Sequence, residues 1–184
     1  MMNRTTEGLE SVEVRSIQPP SIVLDELFEL TGWLPEDAAA HRRFALDPDA
    51  ARFFGWTLSQ ARSAPDSHYA EVIRRFHREW QEGIRYSLAI RHRVHGEAVG
   101  SVEIRPAGGT VDVSFMVQAE WRGRGLAPSA LQAMLAWAKG ELGMRRARLA
   151  CRIDNGASRR VAQKCGFAFK GREGDELLFG LDLE

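Results

Sequence analysis

The sequence has no excess of either charge, because 25 Lys and Arg residues are matched by 25 Asp and Glu residues. Proteins that bind nucleic acids usually carry a basic excess that displaces counterions from phosphates, so we expect no nucleic-acid partner. No apolar run approaches the roughly 20 residues that a membrane-spanning helix needs. The first eleven residues are polar and contain no hydrophobic signal region. These absences predict a cytoplasmic protein that does not insert into a membrane.

Disulfide and metal-binding patterns are also missing. The chain has two cysteines, Cys151 and Cys165, which lie on apolar phases of their segments and are expected to be buried thiols. None of the five histidines forms an HExxH string or another metal-ligand spacing. We therefore expect no metal in the site.

The 184 residues are long enough for one domain, and the N-terminal half is predicted to be mainly helical. Residues 1–10 can form a flexible arm before a first strand at 11–17. Residues 22–62 are predicted to hold two or three short helices with aromatic anchors. Asp66 is expected to cap a longer helix over 67–81, whose apolar residues recur at helical spacing and form one buried stripe.

In the C-terminal half the spacing of apolar residues changes to that of strands. Farther along, segments with helical spacing alternate with segments with strand spacing. Short turns between the first three runs predict an antiparallel meander. The predicted order is strands at 84–92, 98–105 and 110–117, a helix at 124–142, a strand at 146–153, a helix at 157–165, and strands at 167–171 and 177–183. This order is typical of an α+β fold with a single central mixed, mostly antiparallel sheet flanked by helices.

The segment from 117 to 128 carries the strongest functional signal. A strand ends there, a basic loop with Gly123 and Gly125 follows, and a helix begins. Glycines let backbone N–H groups approach a ligand, and a helix N-terminus adds unpaired donors and positive potential, which together suit a pyrophosphate. The string GxxxxGK[ST] of a P-loop is absent, and Pro128 occupies the third glycine position of a dinucleotide fingerprint.

Two motifs in this half resemble those of the GNAT acetyltransferase superfamily, and in particular its RimJ/RimL-like branch. The family signature Q/R-x-x-G-x-G/A is matched by Arg122, Gly125 and Ala127. The second string, N-x-x-S-x-x-V-x-x-x-x-G-F, is matched by Asn155, Ser158, Val161, Gly166 and Phe167. The run at 99–103 also resembles the strand that precedes the signature strand, and the likeness extends over roughly residues 9–183.

The resemblance implies that the chain binds acetyl-CoA as an acetyl donor. In the family a bulge splays the signature strand, here 112–117, from the next one, here 146–153, and the pantetheine arm lies between them. The N–H of Val117 would bind the thioester carbonyl. The implied cofactor-binding residues are Met116, Val117, Arg122, Gly123, Arg124, Gly125, Leu126, Ala127, Asn155 and Ser158. The implied division of the single domain, 1–184, is acceptor-side helices at 22–82, an acetyl-CoA-binding core at 84–154, and a C-terminal helix and hairpin at 155–184.

The catalytic residues are less well marked. Many relatives use a Tyr to donate to the departing thiolate, and Ala162 stands at that position here. RimL-like relatives suggest Ser158 in its place, although a helix-entry hydroxyl that only satisfies backbone donors is the alternative. Glu176 is the first candidate for the general base and Glu103 the second, and a water relay without any single base is also open.

The sequence leaves three functions open. The first is acetylation of a small amine, such as an amine-bearing antibiotic or a polyamine, and the second is acetylation of a protein N-terminus. The third is a non-catalytic acyl-CoA-binding module, and a homodimer is left open for all three. Acidic residues of the N-terminal half are expected to attract a cationic acceptor: Asp25, Glu26, Glu29, Glu36 and Asp37.

Overall fold

The computed structural model describes residues 17–183, which form one eight-stranded sheet and six α-helices. The strands are Ile22–Val23 (β1), Phe28–Thr31 (β2), Tyr86–His92 (β3), Ala98–Ala107 (β4), Thr110–Val117 (β5), Arg146–Arg152 (β6), Ala168–Glu173 (β7) and Glu176–Asp182 (β8). The helices are Ala38–Ala45 (α1), Pro48–Phe54 (α2), Leu58–Ser63 (α3), Asp66–Gln81 (α4), Leu126–Leu142 (α5) and Gly156–Lys164 (α6). None of the helices in this part of the chain is long and apolar enough to cross a membrane.

The strands lie in the order β1-β2-β3-β4-β5-β6-β8-β7. Every neighbouring pair is antiparallel except β5 and β6, which are parallel. A parallel pair needs a crossover, and α5 supplies it. The predicted α+β fold with one mixed, mostly antiparallel sheet is confirmed.

Helices cover both faces of the sheet. On one face, α5 packs through Leu131, Met134 and Leu135 onto strand residues such as Val102, and all four are nearly or fully buried. On the other face, α1 and α4 pack through their aromatic and aliphatic side chains onto the small residues of β3 and β4. Each large aliphatic side chain buried in this way stabilises the fold by about 1.5–3 kcal/mol.

The predicted long helix is confirmed as α4, with one difference at its start. The buried residues are those of the predicted stripe: Tyr69, Val72, Ile73, Phe76 and Trp80. Asp66 is the first helical residue, and Pro65 holds the N-cap position without any side-chain cap. The Asp66 carboxylate still lies near the positive end of the helix dipole, which favours it there without a capping bond.

The two or three short helices predicted within 22–62 are present as α1, α2 and α3, but residues 22–31, for which no strand was predicted, form the short hairpin β1–β2. Phe28 and Leu30 alternate with more exposed neighbours, and β2 pairs with β3 from Phe28↔His92 to Thr31↔Ala89. The carboxylate of Asp25 shapes the turn by accepting the N–H groups of Leu27 and Phe28, both at 2.8 Å. The predicted arm at 1–10 and almost all of the predicted strand at 11–17 lie outside the described residues.

Candidate functional site

The sheet opens into a wedge between β5 and β6. The two strands pair only from Thr110↔Arg146 to Asp112↔Arg148. Beyond that point β5 follows β4 as far as Gly100↔Val117, while β6 follows β8 as far as Arg152↔Glu176. The implied splaying is therefore present, but the implied bulge is not seen in the β4–β5 ladder, which runs without a register shift.

The backbone of Val117 faces this wedge. The N–H of Gln118 donates to the carbonyl of Val99 at 2.9 Å, which makes that pair a hydrogen-bonded one. Polar groups of successive residues in an antiparallel strand point to opposite sides, so those of Val117 point away from β4. The opposing residue must be small, because a Cβ on Gly100 would lie 2.7 Å from the carbonyl oxygen of Met116.

A glycine loop lies at the open end of the wedge. Gly123 and Gly125 have φ values of +77° and +81°, a conformation that glycine adopts without strain. Gly125 is the N-cap of α5 and offers no side-chain cap to the first helical turn. The N–H groups of Leu126 and Ala127 therefore remain available to an anion, and Pro128 has no N–H to satisfy.

The two arginines of the loop, which were expected to bind the cofactor, contact other groups of the protein in this structure. The guanidinium of Arg122 donates to Asp49 at 2.7 Å, to Asp47 at 2.5 Å and to the carbonyl of Val117 at 3.0 Å. Arg124 stacks over the ring of Trp121 at 4.7 Å. Arg122 therefore connects the start of α2 to the loop. The backbone N–H groups at the start of α5 supply positive potential at this end of the wedge.

A cavity of about 450 Å³ runs along the wedge, and we call it the donor-side cavity because the resemblance implies that the acetyl donor lies there. The predicted residues that line it are Met116, Val117, Arg122, Gly123, Gly125, Leu126, Ala127, Asn155, Ser158 and Glu176, whereas Arg124 and Glu103 do not. Sequence reasoning missed its cover, which is α2 with Asp49, Phe53 and Phe54. The only signal for this helix was the Asp47–Pro48 start, which does not indicate what the helix covers.

The side chains of Asn155 and Ser158 make different hydrogen bonds at the start of α6. The side chain of Asn155 caps the helix by accepting the N–H of Ser158 at 3.0 Å. The Ser158 hydroxyl is therefore not the cap, and this side chain is buried against the thiol of Cys151. Burial raises the pKa of Cys151, and its hydrogen bond with Ser158 opposes that shift. Ala162 is fully buried in the core.

A second cavity of about 540 Å³ lies on the face of the sheet that carries α1 and α4, and we call it the acceptor-side cavity because it lies among the helices that were expected to bind the acceptor. Phe54, Ser114, Phe115 and Met116 line both cavities, so the two meet at the end of β5. Glu103 lies on its sheet wall, where it accepts the Ser114 hydroxyl at 2.7 Å. The structure thus separates the two candidate bases, with Glu176 in the donor-side cavity and Glu103 in the acceptor-side cavity.

The acidic residues expected to attract a cation lie elsewhere. Asp25 shapes the β1–β2 turn, Glu29 accepts the Ser21 hydroxyl, and Asp37 is buried against Arg91 at 2.6 Å. Neither these three nor Glu26 and Glu36 line the acceptor-side cavity. Within residues 17–183, no group of three or more His, Cys, Asp or Glu side chains could hold a metal ion.

His41 lies in the wall of the acceptor-side cavity among aromatic rings and is neutral at physiological pH. Burial, with smaller contributions from the charges of Arg75, His68 and Arg85, lowers its pKa to about 4. The unfolded chain would take up a proton at this histidine near pH 6.5, where the folded chain does not. Stability linked to His41 is therefore complete above that pH and is lost as the pH falls toward 4.

We expect His41→Gln to remove the part of the stability loss at acid pH that comes from protonation of His41. From pH 7.5 to 4.5 the wild type should lose about 2–3 kcal/mol more unfolding free energy than the variant, since one pKa unit corresponds to about 1.4 kcal/mol. Urea unfolding of both proteins across this range measures the difference, and the carboxylates common to both cancel. Parallel stability curves would contradict the assignment of a neutral, buried His41.

Comparison with known proteins agrees with this geometry. The model of the acetyltransferase (GNAT) domain matches residues 28–168. Microcin C7 self-immunity acetyltransferase MccE, solved with acetyl-CoA and AMP, is 18% identical with a TM-score of 0.76, covering 91% of this chain and 99% of its own. RimL, a ribosomal L7/L12 α-N-protein acetyltransferase solved with coenzyme A, is 18% identical with a TM-score of 0.77, covering 89% and 98%. Mycobacterium smegmatis RimJ, in complex with CoA-disulfide, is 20% identical with a TM-score of 0.71, covering 90% of each chain.

At these identities the solved structures establish the fold, which confirms the predicted resemblance to RimJ/RimL-like proteins. No curated protein matches the chain by sequence. The family model, in contrast, spans most of the chain and includes the wedge, the glycine loop and the start of α6. The chain belongs to the acetyltransferase (GNAT) family.

Proposed function

We propose that the protein transfers the acetyl group of acetyl-CoA to the primary amine of a small molecule. The observation that carries this proposal is the meeting of two cavities at Phe54 and at Ser114–Met116, beside the open wedge. A donor held in one cavity and an amine held in the other would react at this junction. MccE and RimL, which share the fold, were solved with acetyl-CoA and coenzyme A, respectively.

The donor-side residues fit a nucleotide thioester. The unpaired N–H groups at Gly123–Ala127 suit its pyrophosphate, and the wedge leaves strand backbone available to pair with the amides of a pantetheine arm. The N–H of Val117 would donate to the thioester oxygen as negative charge develops there. The donor supplies an activated acetyl group, and the protein supplies position and hydrogen bonds.

Glu103 is the better placed of the two candidate bases. It lies in the acceptor-side cavity beside Ser114, whereas Glu176 is exposed at the start of β8 on the donor side. A carboxylate must reach the ammonium that it deprotonates, directly or through one water molecule. Ser158 lies on the donor side, where a hydroxyl could donate to the departing thiolate.

The form of the acceptor-side cavity favours a small molecule over a protein N-terminus. Its volume of about 540 Å³ and its aromatic walls, which include Trp33, Trp56 and Tyr69, suit a compact ligand. The solved relatives do not decide the point, since RimL modifies a ribosomal protein and MccE confers microcin self-immunity. The N-terminal alternative predicts activity on peptides rather than on free amines.

A thiol-release assay with acetyl-CoA tests the proposal directly. Free amines, amine-bearing antibiotics and N-terminal peptides would be compared at equal concentration, with the acetylated product identified by mass. We expect turnover on free amines above that on peptides. Turnover confined to peptides would replace this proposal with the N-terminal one. Binding of acetyl-CoA without turnover on any amine would reject both.

We expect Glu103→Gln to lower kcat/KM at pH 7 by about 10- to 100-fold, because general base catalysis by one group contributes about 10²- to 10⁴-fold. The wild-type rate should rise from pH 6 to 9, since a primary amine has a pKa near 10. The deficit should shrink at pH 9, where more of the amine is already neutral. Glu176→Gln is the matched control and should leave the rate nearly unchanged. The reverse ranking would move the base to the donor side.

A further inference from the structure

The acceptor-side cavity is lined by more positive than negative charge. Arg75, Arg85 and Arg105 all line it, and Glu103 is the one carboxylate among its lining residues. Glu79 lies behind the wall and pairs closely with Arg85. Three guanidinium groups therefore share two carboxylates, which leaves a positive excess where a cationic acceptor was expected to bind.

The three arginines differ in how firmly they are engaged. Arg85 is 11% exposed, stacks on Phe76 at 4.6 Å and bridges Glu79 and Glu103. Arg105 is 47% exposed and reaches Glu103 at 2.6 Å. Arg75 is 52% exposed, and its one ion pair within residues 17–183 is a 3.9 Å approach to Glu79. Arg85 is thus part of the wall, whereas Arg75 and Arg105 can still take up an anion.

The register of β4 and β5 orders these groups along the cavity. Ser101 lies opposite Met116 at the junction with the donor side, Glu103 lies opposite Ser114, and Arg105 follows farthest from the junction. Alternate residues on a strand are about 6.6–6.8 Å apart. An acceptor whose amine reaches the junction would therefore extend its other end past Glu103 toward the arginines.

We propose that the acceptor is an amine that also carries an acidic group, a carboxylate or a phosphate, which Arg75 and Arg105 bind while the amine lies near Ser114–Met116. This inference rests on the proposed function and narrows its acceptor. Guanidinium groups bind both kinds of oxyanion through paired hydrogen bonds. Polyamines and other multiply cationic amines would place a second positive charge against the arginines and are disfavoured.

A second feature supports this assignment. His41 lies in the same cavity, and the charges of Arg75 and Arg85 are among the causes that hold its pKa low. The groups that face it from the surrounding elements include these two arginines, His68, and Glu103 across the cavity. A positive field that disfavours the imidazolium also disfavours an ammonium, so it helps to deprotonate the acceptor amine. The acidic group of the acceptor would then offset the charge that Arg75 leaves uncompensated.

The test uses three amines with one aromatic body: tyramine without an acid group, 4-(2-aminoethyl)benzoate with a carboxylate at the far end of the ring, and tyramine phosphate with a phosphate at that end. Their binding to the full chain in the presence of coenzyme A would be measured by calorimetry, and their acetylation by thiol release. We expect at least one of the acidic probes to bind about 10-fold or more tightly than tyramine, as a charge-assisted pair provides. The comparison of the benzoate with tyramine phosphate identifies which oxyanion is preferred.

Arg75→Gln should remove most of this preference, measured as the ratio of the affinity for each acidic probe to the affinity for tyramine in the same variant, because the charge-assisted pair is lost. Arg78→Gln is the matched control, because Arg78 lies on the same helix at 56% exposure, pairs with Glu71 and does not line the cavity. Equal binding of all three probes to the wild type would overturn the inference, as would equal losses in both variants. Turnover of tyramine in that case would leave the proposed function intact, whereas no turnover of any amine would remove both.

Discussion

Gly125→Glu should weaken acetyl-CoA binding by about 100-fold or more while the protein remains folded. Gly125 caps α5 at the point where the pyrophosphate is proposed to lie, and a Cβ there meets no protein atom within 4 Å. The new side chain would occupy the space of the ligand and place a carboxylate beside its phosphates. Two like charges about 4 Å apart near a protein surface repel by about 4 kcal/mol, and about 1.4 kcal/mol corresponds to a factor of ten.

The left-handed backbone at Gly125 adds a strain that has to be separated from the charge effect. Gly143→Glu provides the control, because Gly143 caps the other end of the same helix, has a φ of +64° and also has open space around its Cβ position. Both variants should lose similar stability in a melting experiment, while only Gly125→Glu loses affinity in calorimetry. Unchanged affinity in a folded Gly125→Glu protein would remove the glycine loop from the donor site.

Ser158→Ala should lower kcat by about 10- to 150-fold and leave KM for acetyl-CoA nearly unchanged. A hydrogen bond to a charged group contributes about 1.5–3 kcal/mol, and this one is proposed to strengthen only as the thiolate departs. The hydroxyl lines the donor-side cavity, and the position where many relatives carry a Tyr is here the buried Ala162. Steady-state kinetics with saturating amine measure both constants.

Asn155→Ala is the companion variant, because Asn155 performs the capping that Ser158 does not. Loss of a cap should lower the unfolding free energy by about 1 kcal/mol. Ser158→Ala should melt close to the wild type. A higher KM with constant kcat in Ser158→Ala would indicate that the hydroxyl only positions the donor. No change in either constant would remove it from the mechanism.

Local sequence patterns were sufficient to predict the elements that do not depend on one particular partner elsewhere in the chain. The stripe of α4 from Tyr69 to Trp80 needs only a hydrophobic surface to pack on, and any sheet provides one. The glycine loop is similarly local, since the left-handed backbone of Gly123 and Gly125 and the start of α5 lie within a few residues of one another. The family motifs could therefore be found without knowledge of the tertiary contacts.

Contacts between distant residues escaped prediction. Residues 22–31 form strands because β2 pairs with β3 some sixty positions later, and a segment this short does not reveal that choice by its own pattern. The sequence predicted a phosphate contact for Arg122, but it did not indicate that Asp47 and Asp49, 75 and 73 residues away, would be its ion-pair partners. An unpaired charge near a surface takes the nearest opposite charge, and only the folded chain decides which one that is.

The sequence by itself determined the family, the fold class and the glycine loop, because the motifs and periodicities that indicate them are each local in the chain. The tertiary structure alone decided that the acidic residues of the N-terminal half face away from the acceptor-side cavity and that three arginines line it. It also decided that Glu103 and Glu176 lie in different cavities. The charge that an acceptor meets is a sum over side chains from separate helices and strands, and that sum is fixed only when the elements pack together.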